Sequence, residues 1–314
     1  MALLENIRVF VRVVEAGSLS AAGRQLRMSP AVVSHRLQQL ENHLGVRLIN
    51  RTTRQARATG QGEAFLAGAR EVLEALERAE STVAGSGGAP RGSLRVTAPL
   101  GIGRRFLAPL VPAFRERHPQ IELRLRLSDH LLDLLGEAVD AAVRLAPLSD
   151  SSLIARQVAQ CPRVLCAAPA YLERHGVPRR PADLLEHRCL LLRFPGSTQF
   201  RWTLESPQGP VALPVTGPFD ADDGDVLTGW ALAGHGIVMK PVFEVAGHLR
   251  SGELQPVLPD FPPGPATLAI VYPHRRLLPA RLRAFRDFAG EALAAAVARE
   301  MAGLDRQALA RLAA

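Results

Sequence analysis

Ser18–Gly45, SLSAAGRQLRMSPAVVSHRLQQLENHLG, decides how this chain is read. Ser18 carries an oxygen suited to cap the orphan N–H groups of a first helix running through Ala21, Ala22 and Leu26. A break follows at Arg27–Met28. Ser29 then caps a second helix with Pro30 in its first turn, where the missing N–H costs nothing. At about 100° per residue, Val33, Leu37, Leu40 and Leu44 form one apolar stripe. Ala31, Val32, His35 and Gln39 point the other way, flanked by Arg36 and Gln38.

That exposed face is small at its start and carries donors further on, as a helix needs to enter a major groove about 12 Å wide. Ser29, Pro30, Ala31, Val32, Ser34, His35, Arg36 and Gln39 are therefore the candidate DNA contacts of this helix. An ordinary amphipathic surface helix has the same stripe, and the neighbouring residues decide between the two readings. GVRLINRTTRQARAT follows at once and brings Arg47, Arg51, Thr52, Arg54 and Arg57 in a basic, hairpin-like segment suited to phosphate or minor-groove contact. Arg51, Thr52 and Arg54 join the candidates.

Residues 1–62 together resemble the N-terminal winged helix-turn-helix of LysR-type transcriptional regulators. The resemblance rests on LLENIRVFVRVVEAGSLSAAG, on SPAVVSHRLQQLENHLGVRLINRTTR and on the TGQG entry to a long helix. Ile49 stands where the family usually has Phe, and Gly60-Gln61 replaces the usual Glu-Ala. The resemblance implies a winged helix-turn-helix at 1–58, a dimerising linker helix at 59–83 and a hinge at 84–92. It further implies an effector domain at 93–290, similar to a periplasmic binding protein. In that domain lobe I holds 93–160 and 267–290, lobe II holds 161–266, and two crossover strands join two α/β lobes around a cleft. A tail at 291–314 runs past the usual end. The resemblance also implies a tetramer built as a dimer of dimers and contact with RNA polymerase.

The charge distribution agrees with a DNA partner. Residues 1–57 hold nine Arg and three Glu, a balance of +6, whereas residues 58–83 hold two Arg and five Glu, a balance of −3. A hydrophobic content of 47% with 22% charged residues describes a globular protein, and no apolar run of membrane-spanning length occurs. MALLENIRVF lacks the basic-then-apolar order of a secretory signal, so a cytoplasmic location is expected. Lys240 is the only lysine, which reads as compositional bias.

Leu4, Ile7, Val11 and Val14 place a stripe on an opening helix. Thr59 caps a helix to about Val83 in which Phe65, Ala69, Val72, Leu76, Ala79 and Val83 keep coiled-coil spacing, read as a dimer seam in preference to a helix laid on its own domain. AGSGGAPRGS is a linker by composition. Beyond it SLRVTA, IELRLRL, VDAAVRL and ATLAIVYP read as strands, and Gly103–Glu116 and HLLDLLGE as helices. The alternation predicts mainly parallel sheets. Similar units recur at VLCAAPAYLERHG, HRCLLLRF and ADDGDVLTGWALAGHGIVMKP, and Leu282, Phe285 and Phe288 mark a closing helix. The Ala-rich tail is expected to be helical, either docked on lobe I or frayed.

Ligands in such sheets sit beyond the carboxyl ends of strands. Thr97, Pro99, Leu100 and Gly101 follow the first strand, Ser128 ends the second and Arg144 lies near the end of the third. In lobe II the family's cleft positions correspond to Phe194, Phe200 and Asp222. A small organic acid is the expected effector. Asp222 stands where relatives carry Asn, and a carboxylate there opposes an anion. Each position also has a plainer role: Thr97 or Asp222 as a helix cap, Arg144 as a partner of Asp140.

Catalytic motifs are absent: there is no nucleophile elbow, no His-Glu-x-x-His, no phosphate loop, and GIGRRF lacks the third glycine of a dinucleotide fingerprint. No enzyme activity, cofactor or metal is expected. Cys161, Cys166 and Cys189 are too few and badly spaced for zinc and read as small buried hydrophobes. A cysteine-based redox sensor is the alternative for the whole protein, and a solute-binding protein without a regulatory role is the other.

Overall fold

The computed structural model describes residues 2–51, 56–83, 89–129, 139–145, 153–193, 200–273 and 278–313. The chain divides into two units, Met1–Gly88 and Ala89–Ala314.

The first unit contains α1 (Ala2–Ala16), α2 (Leu19–Leu26), α3 (Pro30–Leu44), β1 (Ile49–Arg51), β2 (Ala56–Ala58) and α4 (Gly60–Val83). Ser18 Oγ accepts the Ala21 N–H at 3.4 Å, and Ser29 Oγ accepts that of Val32 at 3.3 Å, so both sequence caps form. The break between the helices is a left-handed residue, Arg27, at φ 55°. Gly23 is needed just before it: a Cβ there would lie 2.6 Å from the Met28 carbonyl oxygen, which the tight turn brings back over the helix.

The core of this unit centres on Val9, Phe10, Val13, Val33, Leu37 and Leu40. On α1 the burial is wider than the expected stripe. Val9, Phe10 and Val13 are fully buried while Leu4 and Val14 are only half-buried, because α2, α3, α4 and β2 all pack against this one helix. The linker helix also departs from the expected seam. Its early residues, Phe65, Leu66, Ala69 and Leu73, pack on the unit's own core, with the Phe65 ring 5.5 Å from that of Phe10. Val72 and Ala79 are exposed and Leu76 is half-buried, so only the later residues of the heptad series are offered outward; the side chain of Val83 lies outside the described residues.

The second unit holds two five-stranded sheets. The first uses β3 (Gly92–Ala98), β4 (Ile121–Leu127), β5 (Ala141–Leu145), β6 (Leu153–Cys161) and β14 (Ala266–Pro273), in the order β4-β3-β5-β14-β6. The second uses β7 (Arg163–Ala167), β8 (Cys189–Leu192), β11 (Asp220–Ala221), β12 (Ile237–Pro241) and β13 (Gln255–Val257), in the order β11-β8-β12-β7-β13. The chain crosses from one sheet to the other after β6 and returns before β14, making the two lobes.

Expected mainly parallel sheets are in fact mixed. In each, two pairings are parallel and two antiparallel, because one strand, β14 in one lobe and β7 in the other, runs against the neighbours on both its sides. The helix expected from Gly103 spans α5 (Leu100–Ile102), a π-helical turn at Gly103–Leu107, a 3₁₀ turn at Ala108–Leu110 and α6 (Val111–Arg117). Pro109 and Pro112 lack the N–H that a uniform α-helix would need there. The HLLDLLGE helix lies outside the described residues.

Lobe II adds α7 (Pro169–His175), the hairpin strands β9 (Arg201–Leu204) and β10 (Val211–Pro214), α8 (Gly224–Leu232) and α9 (Val242–Ser251). The chain closes with α10 (Ala280–Met301) and α11 (Arg306–Leu312). The tail docks on both lobes: Leu293 and Val297 are buried in the lobe I core, Leu304 in the α8–α9 face of lobe II. Arg250 of α9 holds the end of α10, donating to the carbonyls of Glu300 at 2.6 Å and Ala302 at 3.0 Å. Among the described residues no helix is long and apolar enough to cross a membrane.

Candidate functional site

Along α3, Val33, Leu37 and Leu40 are buried, while Pro30, Ala31, Val32, His35, Gln38 and Gln39 are exposed and Ser34 and Arg36 half-buried. The outward row starts with small residues and continues with hydrogen-bonding ones. His35 Nε2 lies 3.1 Å from Gln39 Nε2, and Gln38 donates to Asn42 at 3.4 Å. Arg36 is less free than its flanking position implies: Nη1 donates to Asn6 Oδ1 at 3.3 Å, and Asn6 Nδ2 donates to Gln39 Oε1 at 3.3 Å. Asn6 is a buried side chain of α1, so α1 reaches across and orders two candidate base-reading residues. Period alone did not single it out.

The wing is tied to α3 by a second unexpected residue. Glu41 is buried, and its Oε1 accepts the N–H groups of Leu48 at 2.9 Å and Ile49 at 3.1 Å. β1 and β2 then pair antiparallel, Ile49 opposite Ala58 and Arg51 opposite Ala56. The Ala56 N–H reaches the Gly17 carbonyl at 2.9 Å. Thr59 Oγ1 accepts the Gly62 N–H at 3.0 Å and donates to the Arg47 carbonyl at 2.8 Å, joining the wing to α4. Arg51 ends β1; its side chain, Thr52 and Arg54 lie outside the described residues.

Charge is partitioned within this unit. On α1, Arg8 lies 3.6 Å from Glu5 and Arg12 3.6 Å from Glu15, and Arg70 of α4 adds a 3.5 Å contact to Glu15. Arg24, Arg27, Arg47 and Arg57, on α2, its turn and the wing, are exposed and make no ion pair among the described residues. Positive potential thus remains on the helix-turn-helix and wing, as a polyanion requires.

In the second unit the carboxyl end of β3 leads into α5 and that of β11 into α8, and these two helices are in contact. Thr97 is buried on β3, Pro99 and Leu100 open α5, and the Ser128 N–H reaches the Ala98 carbonyl at 2.9 Å. The Leu100 N–H donates to Asp129 Oδ1 at 2.7 Å. A carboxylate of the chain itself thus occupies this N–H at the start of α5. Arg144, near the end of β5, is half-buried. Asp140 accepts the Arg95 N–H at 2.8 Å.

From lobe II, Asp223 and not Asp222 caps α8, accepting the Asp225 N–H at 2.8 Å; Asp222 is exposed. Phe200 packs against the hairpin side of the lobe II core with the Arg193 guanidinium 5.3 Å from its ring centre, and Phe194 lies outside the described residues.

Charged residues that the sequence reading gave no site role build the floor between the lobes. Arg105 of lobe I donates to Asp225 Oδ1 at 3.0 Å and to the Glu244 carbonyl at 2.7 Å. Lys240, buried, pairs with Glu244 and donates to the Gly224 carbonyl at 3.1 Å. The sole lysine therefore has a structural place. Gly101 sits against this cluster, where a Cβ would come 3.0 Å from Asp225 Oδ1. Burial, followed by the nearby Asp223 and Glu244 charges, pushes the Asp129 carboxyl above its usual range, opposed by the Leu100 N–H and Lys240. One signal was available: Asp129 directly follows Ser128.

All three thiols are buried, and burial pushes Cys161 to about 11 and Cys166 and Cys189 to about 12. At neutral pH they stay protonated and poorly nucleophilic, which does not favour a redox sensor.

Residues 4–63 match the family described as bacterial regulatory helix-turn-helix protein, lysR family, and residues 87–294 match the LysR substrate binding domain. The HTH-type transcriptional regulator DmlR of Escherichia coli (strain K12) is 34% identical over 286 residues, covering 91% of this chain and 93% of that protein. CrgA of Neisseria meningitidis serogroup B (strain ATCC BAA-335 / MC58) is 36% identical over 290 residues, covering 92% and 96%. The solved structure of CrgA from Neisseria meningitidis has a TM-score of 0.58 at 35% identity, covering 92% of this chain and 98% of that one. Full-length AphB of Vibrio cholerae gives 0.57 at 31% identity, covering 91% and 98%. With both domain matches in place along nearly its whole length, this chain belongs to the LysR family of DNA-binding bacterial transcriptional regulators.

Proposed function

We propose that α3 reads operator bases through Ala31, Val32, Ser34, His35, Arg36 and Gln39, with Ser29 and Pro30 at the groove entrance and Arg51, Thr52 and Arg54 on phosphates or in the minor groove. The observation that carries this reading is the outward row of α3, small first and hydrogen-bonding after, beside arginines that have no carboxylate partner among the described residues. Modules paired through the later turns of α4 read two half-sites, and the assembled protein is a homodimer or a dimer of dimers that meets RNA polymerase in the cytoplasm.

The second unit binds a small organic acid that also carries hydrogen-bond donors. Arg144 supplies positive charge at one strand end, while Asp129, Asp222 and Asp223 at the others suit donors and oppose a bare anion. Occupancy changes how the lobes pack, and that change biases the geometry of the paired modules.

Fluorescence anisotropy with a duplex from the gene's own upstream region, against a shuffled duplex, tests the DNA half. Arg36→Ala should relax sequence preference with a loss of roughly 1–3 kcal/mol. Arg54→Ala should weaken binding to both duplexes and flatten the salt dependence. An Arg54→Ala protein that changed sequence preference at constant salt slope would refute the division of roles. For the ligand half, calorimetric titration with hydroxy and amino acids should give heat. Binding of simple amines alone would refute the acid.

A further inference from the structure

A cavity of about 330 Å³ lies away from the inter-lobe cleft, where the segments joining the lobes meet the tail. Leu258 and Pro262 form one wall, and Met301, Leu304 and Leu309 of α10, its following turn and α11 form the other. Arg163, the first residue of β7, also lines it. Its Nε donates to the Gly264 carbonyl, which leaves the rest of the guanidinium for another acceptor. Among the described residues no carboxylate pairs with it.

Burial pushes the Arg163 guanidinium below the usual arginine range, with no neighbouring charge offsetting the cost. The remaining charges around the cavity are already engaged or exposed. Asp305 Oδ1 caps α11 by accepting the Ala308 N–H at 2.7 Å, while Glu205 and Arg306 are exposed. A mostly apolar chamber with one under-compensated cation matches an apolar body bearing one anionic head. Its volume is roughly twice the ~150 Å³ of a cavity that takes up benzene, which sets the ligand at about ten to twelve non-hydrogen atoms.

We propose that this cavity is a second ligand site, for a medium-chain or aryl carboxylate whose acid group meets Arg163 and whose apolar body packs under the tail. A molecule there touches β7, β13, the segment leading back to lobe I and the tail at once. It therefore braces the tail against lobe II.

Calorimetric titration of the full chain with octanoate tests the site. The expected result is one octanoate per chain, with octan-1-ol binding at least about tenfold more weakly for want of the charge-assisted hydrogen bonds. Arg163→Gln should lose about tenfold in octanoate affinity and leave the octanol affinity unchanged. Leu309→Trp, at a half-buried position, should fill the chamber and abolish octanoate heat, with the far-UV circular dichroism spectrum and melting profile reporting that the fold is kept. Any of three results would overturn the proposal: no octanoate binding by the parent chain, undiminished binding by both variants, or a Leu309→Trp chain that changes oligomer size while keeping its octanoate heat. The last would mark the cavity as an interface between copies.

Discussion

The helix-turn-helix and the inter-lobe floor use the same residue types in opposite ways. On α2, its turn and the wing, Arg24, Arg27, Arg47 and Arg57 have no ion-pair partner among the described residues. Between the lobes, Arg105 and Lys240 are held by Asp225 and Glu244. A surface that meets a polyanion keeps its charge available, whereas the floor between the lobes balances most of its own. The contrast also explains why the first was visible in one dimension: its arginines crowd into a short stretch, while Arg105 and Asp225 are brought together from 120 residues apart.

Variants that break this comparison come first. Leu37→Ala removes a fully buried side chain from the helix-turn-helix core and should cost about 2–5 kcal/mol. Differential scanning calorimetry should assign the loss to the transition of the first unit and leave that of the second in place. Glu41→Ala leaves the N–H groups of Leu48 and Ile49 without their acceptor, at about 1–3 kcal/mol. Its operator affinity, measured by anisotropy at a temperature where the unit is folded, should fall because the wing is no longer anchored.

Smaller effects sharpen the picture of the cleft. Arg105→Ala cuts a partly exposed link between lobes, so chemical denaturation should register less than about 1 kcal/mol. Asp129→Asn addresses pH. Because its folded carboxyl lies above the ordinary 3.8, the contribution of Asp129 to stability is fully present below that value and is lost as pH rises through the raised one. Thermal melting across that range should show the parent losing stability relative to Asp129→Asn with rising pH, and a constant difference would contradict the assignment. Least effect is expected at the thiols: an aromatic disulfide reagent at neutral pH should label the native chain only as fast as it unfolds.

Much of the architecture was legible because local chemistry and global fold agree. Ser18, Ser29 and Thr59 cap helices that period already marked, and ATLAIVYP coincides with β14. β6 was missed because its alternation breaks where its register with β14 shifts near Leu268, so LIARQVAQC keeps no clean period of two. β9 and β10 escaped notice as short hairpin strands that bury Trp202, Leu204 and Leu213 on one side. Of the sites, the residue types of the α3 face could be read from spacing, but Asn6 and Glu41 act across helices. The helix-cap alternative weighed for Asp222 belongs one residue later, to Asp223. The occupant of the Leu100 N–H, Asp129, is set by how the end of β4 meets α5.

Footprinting of the gene's upstream region by the full chain tests the central claim, that paired α3 faces read operator DNA. Two protected half-sites should appear, with centres separated by whole helical turns, each about 10 base pairs. Protection of a single half-site, or none above that of unrelated duplex, would contradict it.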